Sequence, residues 1–300
     1  MSVPPVLIRF VPLMFVLLWS TGFIGARYGL PYIEPFNLLL IRMLMTLGVF
    51  LILILVFRAR WPSPAQALHQ LVAGALVHGC YLGGVFAAIK WELPAGVTSI
   101  LVGLQPVLTA VMVWAMTGQT LRRAQWSGLL LGLVGVVLVL GSGLQPGSFE
   151  VRPEAILAAV VALVGISVGT LYQKHFGGGT DLLTGSFFQY LSTALMMALL
   201  SFTLETGEIE WHPQLIIALL WLVFGLSISA ILLLMLMIRE GEVARVSTYF
   251  YLVPPVTALE AWWLFGEELS GLALGGMVLA VFGVYLVLTR GQARQEKKGA

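Results

Sequence analysis

Long apolar runs alternate along the chain with short polar or glycine- and proline-rich breaks. A bilayer crossing needs about 20 mostly apolar residues, and the chain offers ten such runs. Arginine pairs such as Arg58 and Arg60, and helix breakers such as Pro62, mark the boundaries. The pattern predicts an all-α membrane protein with ten transmembrane helices near 8–29, 34–57, 66–88, 94–115, 122–141, 152–174, 181–203, 212–237, 242–265 and 269–289.

The two halves of the chain resemble each other at a nearly constant offset. Gly135 and the Val-Val-Leu-Val-Leu after it match Gly283 and Val-Tyr-Leu-Val-Leu, and further matches keep a similar spacing. Each half holds five spans, an odd number, so the second half must enter the membrane in the opposite direction. We therefore predict two inverted five-helix repeats, 1–145 and 146–300, the second ending in a short basic tail. Inverted repeats are common in secondary transporters.

Composition excludes several classes of protein. The chain is 59% hydrophobic and 10% charged, whereas soluble domains carry about 25% charged residues. A net charge of +2 provides no basic surface for nucleic acid. The single cysteine, Cys80, excludes an internal disulfide and a cysteine-rich metal site. The sequence has no P-loop and no H-E-x-x-H motif, so we expect no cofactor, no metal and no enzyme.

The distribution of Lys and Arg predicts the orientation. With a cytoplasmic N-terminus, the cytoplasmic segments hold twelve of the sixteen basic residues, the other side holds three, and Arg42 lies within a span. Cytoplasmic loops are enriched in basic residues. Both termini are therefore expected on the cytoplasmic side.

Two segments carry a resemblance to a known family. The first is residues 94–106, which run to Gln105-Pro106 and are followed by Gly118-Gln119. The second is residues 243–255, which run to Pro254-Pro255 and are followed by Gly266-Glu267. With the ten-span plan, they resemble the EamA branch of the drug/metabolite transporter superfamily. In that family a mid-helix proline precedes a Gly-Glu pair, and Gln119 departs from this pattern.

The resemblance implies a secondary or facilitative exporter that works by alternating access in the bacterial inner membrane. The overall pattern is most similar to the aromatic amino-acid exporters of this group. Expected partners are small-molecule substrates, amino acids above all, and the lipid bilayer, with a functional monomer. The alternatives are a flippase for lipids or lipid precursors, a membrane-embedded enzyme, and a passive channel whose flux does not saturate.

Prolines interrupt equivalent spans of the two repeats, at Pro106 in the first and at Pro254 and Pro255 in the second. Proline removes a helix hydrogen bond, and the carbonyl that it frees must face protein or a wet cavity. Paired interruptions mark transporter sites. We interpret the three prolines as conformational hinges; the alternative is a kink that serves packing alone.

Polar residues inside spans are costly in lipid and are functional candidates. The candidate substrate-binding residues are Trp19, Ser20, Arg42, His78, Tyr81, Thr98, Gln105, Ser247 and Tyr251. The alternative for each is polar packing between helices. Arg42 and Glu260 could pair, bind a zwitterion or snorkel to the surface, and snorkelling is favoured for Glu260. Spans one, three, four, six, eight and nine are expected to line a central cavity.

Overall fold

The computed structural model describes residues 5–118, 123–142, 152–229, 233, 252–267 and 269–292, and these residues form ten helices. The all-α prediction is confirmed, and each predicted span contains a helix. Residues 234–251, which include Ser247 and Tyr251, lie outside the described part. The helices are α1 Pro5–Gly29, α2 Pro35–Phe57, α3 Pro64–Lys90, α4 Ala95–Thr117, α5 Arg123–Ser142, α6 Pro153–Phe176, α7 Leu182–Leu204, α8 Pro213–Ile228, α9 Val253–Phe265 and α10 Gly271–Gln292.

The helix ends follow from local sequence. The helices α2, α3, α6 and α8 begin with proline, as α1 does, and the missing N–H of proline is not needed in the first turn: Pro35, Pro64, Pro153 and Pro213. The helices α4 and α9 end at Gly118 and Gly266, with φ of 63° and 65°. Glycine adopts this left-handed conformation without steric cost. The glycine in each of the two family-like segments is therefore a helix C-cap.

Three helices are irregular near their middles. The helix α4 is interrupted at Gly103 and Leu104 and resumes at Gln105, with Pro106 in the first turn of the new segment. The helices α3 and α8 contain π-helical segments at Ala75–Cys80 and Trp221–Ile228. Such segments are rare and often mark functional sites. The two π segments lie at equivalent positions of the two repeats.

The outer surface of the helices is apolar. Phe202 is 83% exposed and Ile52 61% exposed, a pattern that suits lipid rather than water. Of the described helices, α2, α3, α4, α6 and α7 are long and apolar enough to cross a membrane, and α5, α8 and α10 contain shorter apolar segments.

The direction of the helices defines two faces. The N-terminus of α2 contacts Glu205, just after α7 ends, so α2 and α7 run in opposite directions. The start of α3 contacts the loop between α6 and α7 through Gln70 and Gly177. We call the face with residues 30–35, 90–95 and 205–214 the sealed face, and the face with residues 58–63 and 177–181 the open face. The complete inverted topology stays a prediction.

The helices α5 and α10 pack backbone to backbone. A Cβ atom at Gly283 would lie 2.5 Å from the carbonyl oxygen of Gly128, and one at Gly276 would lie 2.5 Å from that of Gly135. Small residues permit such close approach of helices in membranes. The small-residue faces on these two helices thus meet each other within one chain.

Candidate functional site

A cavity of about 250 Å³ lies between α1, α2, α3, α7 and α8, and Gln173 near the end of α6 also lines it. Its deepest lining residues include Arg42 and Ser227, and it reaches the open face beside Gly177 and the exposed Asp181. The sealed face contributes no described residue to its lining. Among the described residues, the cavity therefore opens toward one face.

Arg42 is the cationic residue deep in this cavity. It is 2% exposed, and its Nε and Nη2 atoms donate to Ser227 Oγ over 3.3 and 3.0 Å. Its Nη1 atom is buried without a hydrogen-bond partner, and among the described residues no carboxylate lies within ion-pair distance. A buried charge is costly unless it is paired. The guanidinium is thus suited to receive an anionic group from a ligand.

A chain of neutral polar groups leads from the middle of the cavity to its mouth. A ring nitrogen of His78 lies 3.2 Å from Gln189 Oε1, and Gln189 Nε2 donates to Gln70 Oε1 over 2.6 Å. Gln70 in turn donates to the Gly177 carbonyl and to Thr180 over 3.4 Å. These side chains offer donors and acceptors to a polar ligand without adding charge.

Aromatic rings form the remaining wall. Trp19 and Tyr81 are stacked with their centroids 6.5 Å apart and an angle of 18° between planes. Tyr190 packs at 4.8 Å from the His78 ring and at 5.4 Å from Phe50. Aromatic faces attract both rings and cations. The cavity therefore combines a cation, neutral hydrogen-bonding groups and flat aromatic surface.

Two polar contacts of the cavity lie at equivalent positions of the two sequence repeats. Arg42 and Gln189 occupy equivalent positions in α2 and α7, and His78 and Ser227 lie in the two π segments. Arg42 bonds to the π segment of α8, and Gln189 to the π segment of α3. The two repeats thus supply matching hydrogen bonds, one deep in the cavity and one nearer the mouth.

The structure brings some candidate residues together and separates others. Trp19, Arg42, His78 and Tyr81 line the cavity. Ser20 lies on another side of α1 and contacts Glu260. These placements are set by helix rotation, because successive residues point about 100° apart.

Residues of α4 do not line the cavity. The Thr98 hydroxyl donates to the Pro94 carbonyl of its own helix, and Gln105 donates to Thr170 of α6. The hinge candidates Pro106 and Pro254 lie in the first turns of helical segments. A Cβ atom at Gly103 would lie 2.9 Å from Pro254 Cγ, so the interruption of α4 packs against the start of α9. Pro255 follows in the first turn of α9.

The lining differs from the expected set of spans. The helices α2 and α7 line the cavity through Arg42, Gln189 and Tyr190, whereas the described parts of α4 and α9 do not. Gln70, Gln189, Tyr190 and Ser227 were absent from the candidate set. The equivalence of Arg42 and Gln189 was the available signal, since both are polar in-span residues at matching repeat positions.

Carboxylates close the sealed face. Glu205 accepts from the backbone N–H groups of Phe36 and Asn37, both at 2.7 Å, and so caps α2. Glu34 accepts from the N–H groups of Thr206 and Gly207 in return. An antiparallel bridge between Ile33 and Ile209 lies beside them. The connections α1–α2 and α7–α8 are thereby tied together.

Glu267 performs a similar role for α4. It accepts from the Ala95 N–H at 3.4 Å and lies 3.6 Å from Arg27 Nε. Negative charge at a helix N-terminus is stabilising. Burial raises the pKa of both Glu205 and Glu267 above the ordinary value, although the backbone N–H groups oppose the shift. The Gly-Glu pair of the second family-like segment thus ends one helix and caps another.

Comparison with known proteins decides the family. The model of the EamA-like transporter family matches residues 8–141 and again residues 153–289. The chain belongs to the EamA-like transporter family. It is therefore a membrane transporter of small metabolites with the two-repeat fold of that family.

Similar proteins carry transporter names. The chain is 24% identical over 281 residues to the uncharacterized transporter YvbV of Bacillus subtilis, with 93% of this chain and 91% of YvbV covered. It is 25% identical to a probable amino-acid metabolite efflux pump of Salmonella typhimurium, covering 92% and 93% of the two chains. It is 26% identical to the uncharacterized inner membrane transporter YedA of Escherichia coli, covering 88% and 86%.

A solved crystal structure has the same fold. It superimposes on this EamA-like transporter with a TM-score of 0.65 at 22% sequence identity, covering 96% of this chain and 98% of the other. This likeness concerns the fold alone.

Proposed function

We propose that this protein exports amino acids, aromatic ones among them, and related small metabolites by alternating access across a bacterial inner membrane. The observation that carries the proposal is Arg42, a buried cation with no carboxylate of the described residues within ion-pair distance, in a cavity with the Trp19–Tyr81 stack. In the proposed complex Arg42 binds the substrate carboxylate. The aromatic faces receive the ammonium group and an aromatic side chain.

The size of the cavity favours single amino acids over lipids. A volume of about 250 Å³ lies below the roughly 300–1,000 Å³ of sites for drug-sized ligands. The similarity to a probable amino-acid metabolite efflux pump supports the same choice. The charge distribution predicts that the basic loops and both termini lie in the cytoplasm. The open face is then cytoplasmic, and substrate enters the cavity from that side.

The test is uptake of labelled phenylalanine, tryptophan and leucine into proteoliposomes that contain this protein alone. We expect saturable uptake that an excess of unlabelled amino acid blocks. Flux without saturation or competition would indicate a channel. Absence of uptake above empty liposomes, with folded protein verified by gel filtration, would contradict the proposal and redirect attention to other metabolites or lipids.

A further inference from the structure

A carboxyl group within the membrane joins α1 to α9. Glu260 lies five residues before the end of α9, roughly 8 Å from it at 1.5 Å per residue. Its Oε1 atom is 3.0 Å from the hydroxyl oxygen of Ser20, which is fully buried. The contact links the first helix of one repeat to a helix of the other. Glu260 is therefore held at a helix interface and does not snorkel to the surface.

The number of hydrogen-bond donors and acceptors around Ser20 indicates the charge state of Glu260. Ser20 has one hydroxyl hydrogen, and its oxygen lies 2.8 Å from the Leu17 carbonyl and 3.0 Å from Glu260 Oε1. The carbonyl only accepts, and so does an ionised carboxylate. A proton on Glu260 resolves the conflict, because Glu260 then donates to Ser20 while Ser20 donates to Leu17.

No described cation compensates a negative charge on Glu260. Its Oε2 atom is buried without a hydrogen-bond partner. Of the three described helices with the most contacts to α9, α4 carries no ionisable side chain. The ionisable residues of the other two are Arg9, Arg27 and Tyr28 on α1 and Tyr285 and Arg290 on α10.

Three of these residues have described contacts with partners other than Glu260. Arg27 pairs with Glu267, Tyr28 packs on Phe265 and Tyr285 stacks on Phe282. An ionised carboxylate without a compensating charge or donor is costly in a low-dielectric interior. The surroundings of Glu260 thus favour its neutral form.

We propose that Glu260 is a proton-binding site through which this transporter exchanges a proton for substrate. In the state described here, open toward one face, Glu260 holds the proton against Ser20. Substrate in the cavity would contact α1 through Trp19, Gly22 and Phe23, on the face of the helix next to the one that carries Ser20. Substrate binding displaces α1 from α9, which breaks the Ser20 contact, hydrates the carboxyl group through the cavity and releases its proton to the open face. After the substrate leaves at the opposite face, Glu260 takes up a proton from that side and the exchange is complete.

The inference rests on the proposed transport of amino acids, and the experiment separates the two. Proteoliposomes with the wild type, Glu260→Gln or the control Glu154→Gln, an exposed carboxylate at the start of α6, receive labelled phenylalanine. One assay measures accumulation driven by a pH gradient, and the other measures counterflow, the exchange of labelled for unlabelled phenylalanine without a gradient. With one-for-one exchange, one pH unit sustains an about tenfold concentration ratio.

We expect wild type and Glu154→Gln to accumulate phenylalanine against the gradient and Glu260→Gln to lose this accumulation while counterflow persists. Glu260→Asp should retain accumulation with a displaced pH profile. Accumulation by Glu260→Gln equal to wild type, or a wild type indifferent to the gradient, would overturn the proton site. Absence of counterflow in the wild type would instead overturn amino-acid transport.

An infrared measurement reads the proton directly and needs no transport. A protonated carboxylic acid has a C=O stretching band that a carboxylate lacks. We expect a band in the wild type at neutral pH that is missing from Glu260→Gln and unchanged in Glu154→Gln. Identical spectra for wild type and Glu260→Gln would show that Glu260 is ionised and would contradict the proposal. This conclusion would hold even if Glu260→Gln failed to transport.

Discussion

At the scale of single residues, the repeat positions 42 and 189 differ in charge. Arg42 and Gln189 both bond to a π segment of the other repeat, yet one is a cation and the other a neutral amide. A neutral amide binds a carboxylate more weakly than a guanidinium does. The deep end of the cavity is therefore the proposed anion-binding end, and the described residues toward its mouth are uncharged amides and hydroxyls up to Asp181 at the surface.

Arg42→Gln tests this assignment. A hydrogen bond to a charged group contributes about 1.5–3 kcal/mol, which corresponds to roughly ten- to hundredfold in affinity. We expect phenylalanine to compete that much less well in Arg42→Gln, whereas phenethylamine, which lacks the carboxylate, competes as in the wild type. Inhibition of labelled tryptophan uptake measures both. Arg60→Gln, at an exposed site, is the matched control. Equal losses for both competitors would mean that Arg42 serves the fold through Ser227 instead.

At the scale of elements, helix ends and close backbone contacts carry the architecture. The helices α2 and α4 are capped by carboxylates from distant helices, Glu205 and Glu267. The helices α5 and α10 touch through glycine backbones. Neither kind of contact resembles a hydrophobic core in water, because in lipid the driving force comes from packing and hydrogen bonding.

The contact between α5 and α10 predicts the cost of a side chain there. Gly283→Leu places its Cβ 2.5 Å from the Gly128 carbonyl oxygen, whereas Gly275 has no atom within 4 Å of such a Cβ. Overpacking typically costs about 1–3 kcal/mol. We expect a lower melting temperature in detergent for Gly283→Leu and little change for Gly275→Leu. Similar melting temperatures for the two variants would contradict this packing.

The carboxylates of the sealed face predict a pH dependence. Burial raises the pKa of Glu205 and Glu267 above the ordinary 4.5. The sealed state therefore binds protons more readily than a state in which these groups are hydrated, and acidification favours it. This stabilisation is complete below pH 4.5 and is lost as the pH rises through the raised pKa values.

A thiol reporter measures this equilibrium. In a Cys80→Ala background, Leu226→Cys places a thiol in the cavity wall. An impermeant maleimide added on the side of the sealed face can reach this thiol only when that face opens, so the labelling rate reports the opening. We expect slower labelling at lower pH, after division by the rate for an exposed Glu208→Cys control to remove the intrinsic pH dependence of the thiol. The double change Glu205→Gln and Glu267→Gln should make the profile shallower. A corrected rate that rises on acidification would contradict the assignment.

At the scale of the whole molecule, alternating access requires the sealed face to open. The backbone bridge between Ile33 and Ile209 ties the connections that must separate. Opposed residues of an antiparallel pair have Cα atoms about 4.5–5.5 Å apart, within the range that a disulfide spans. A disulfide there would hold this face closed without touching the cavity.

The pair Ile33→Cys and Ile209→Cys, in the Cys80→Ala background, should therefore lock the transporter. We expect oxidation to abolish uptake of labelled phenylalanine and a reducing agent to restore it. Each single cysteine variant should be insensitive to oxidation. Undiminished uptake by the fully cross-linked protein would refute opening at this face.

The sequence determined the spans and their number. Apolar runs of bilayer length can form only helices in lipid, because each backbone group must be bonded within its own segment. Pro106 predicted an interruption in α4, because proline lacks the N–H that would complete a helix hydrogen bond. The break itself lies just before it, at Gly103 and Leu104. Four of the candidate site residues line the cavity, because polar groups deep in a span are costly in lipid and face the protein interior or a cavity.

Only the tertiary structure decided which polar residues share a cavity. Thr98 and Gln105 are polar residues within a span, as His78 is, and the sequence makes them equally good candidates for the cavity. Yet Thr98 bonds to its own helix and Gln105 bonds to α6. Helix rotation and the choice of neighbours decide this, and both depend on close packing among ten helices. Pairings such as Ser20 with Glu260, 240 residues apart, leave no local pattern in the sequence. The hydrophobic pattern specifies that a segment crosses the bilayer, whereas packing specifies what each of its faces meets.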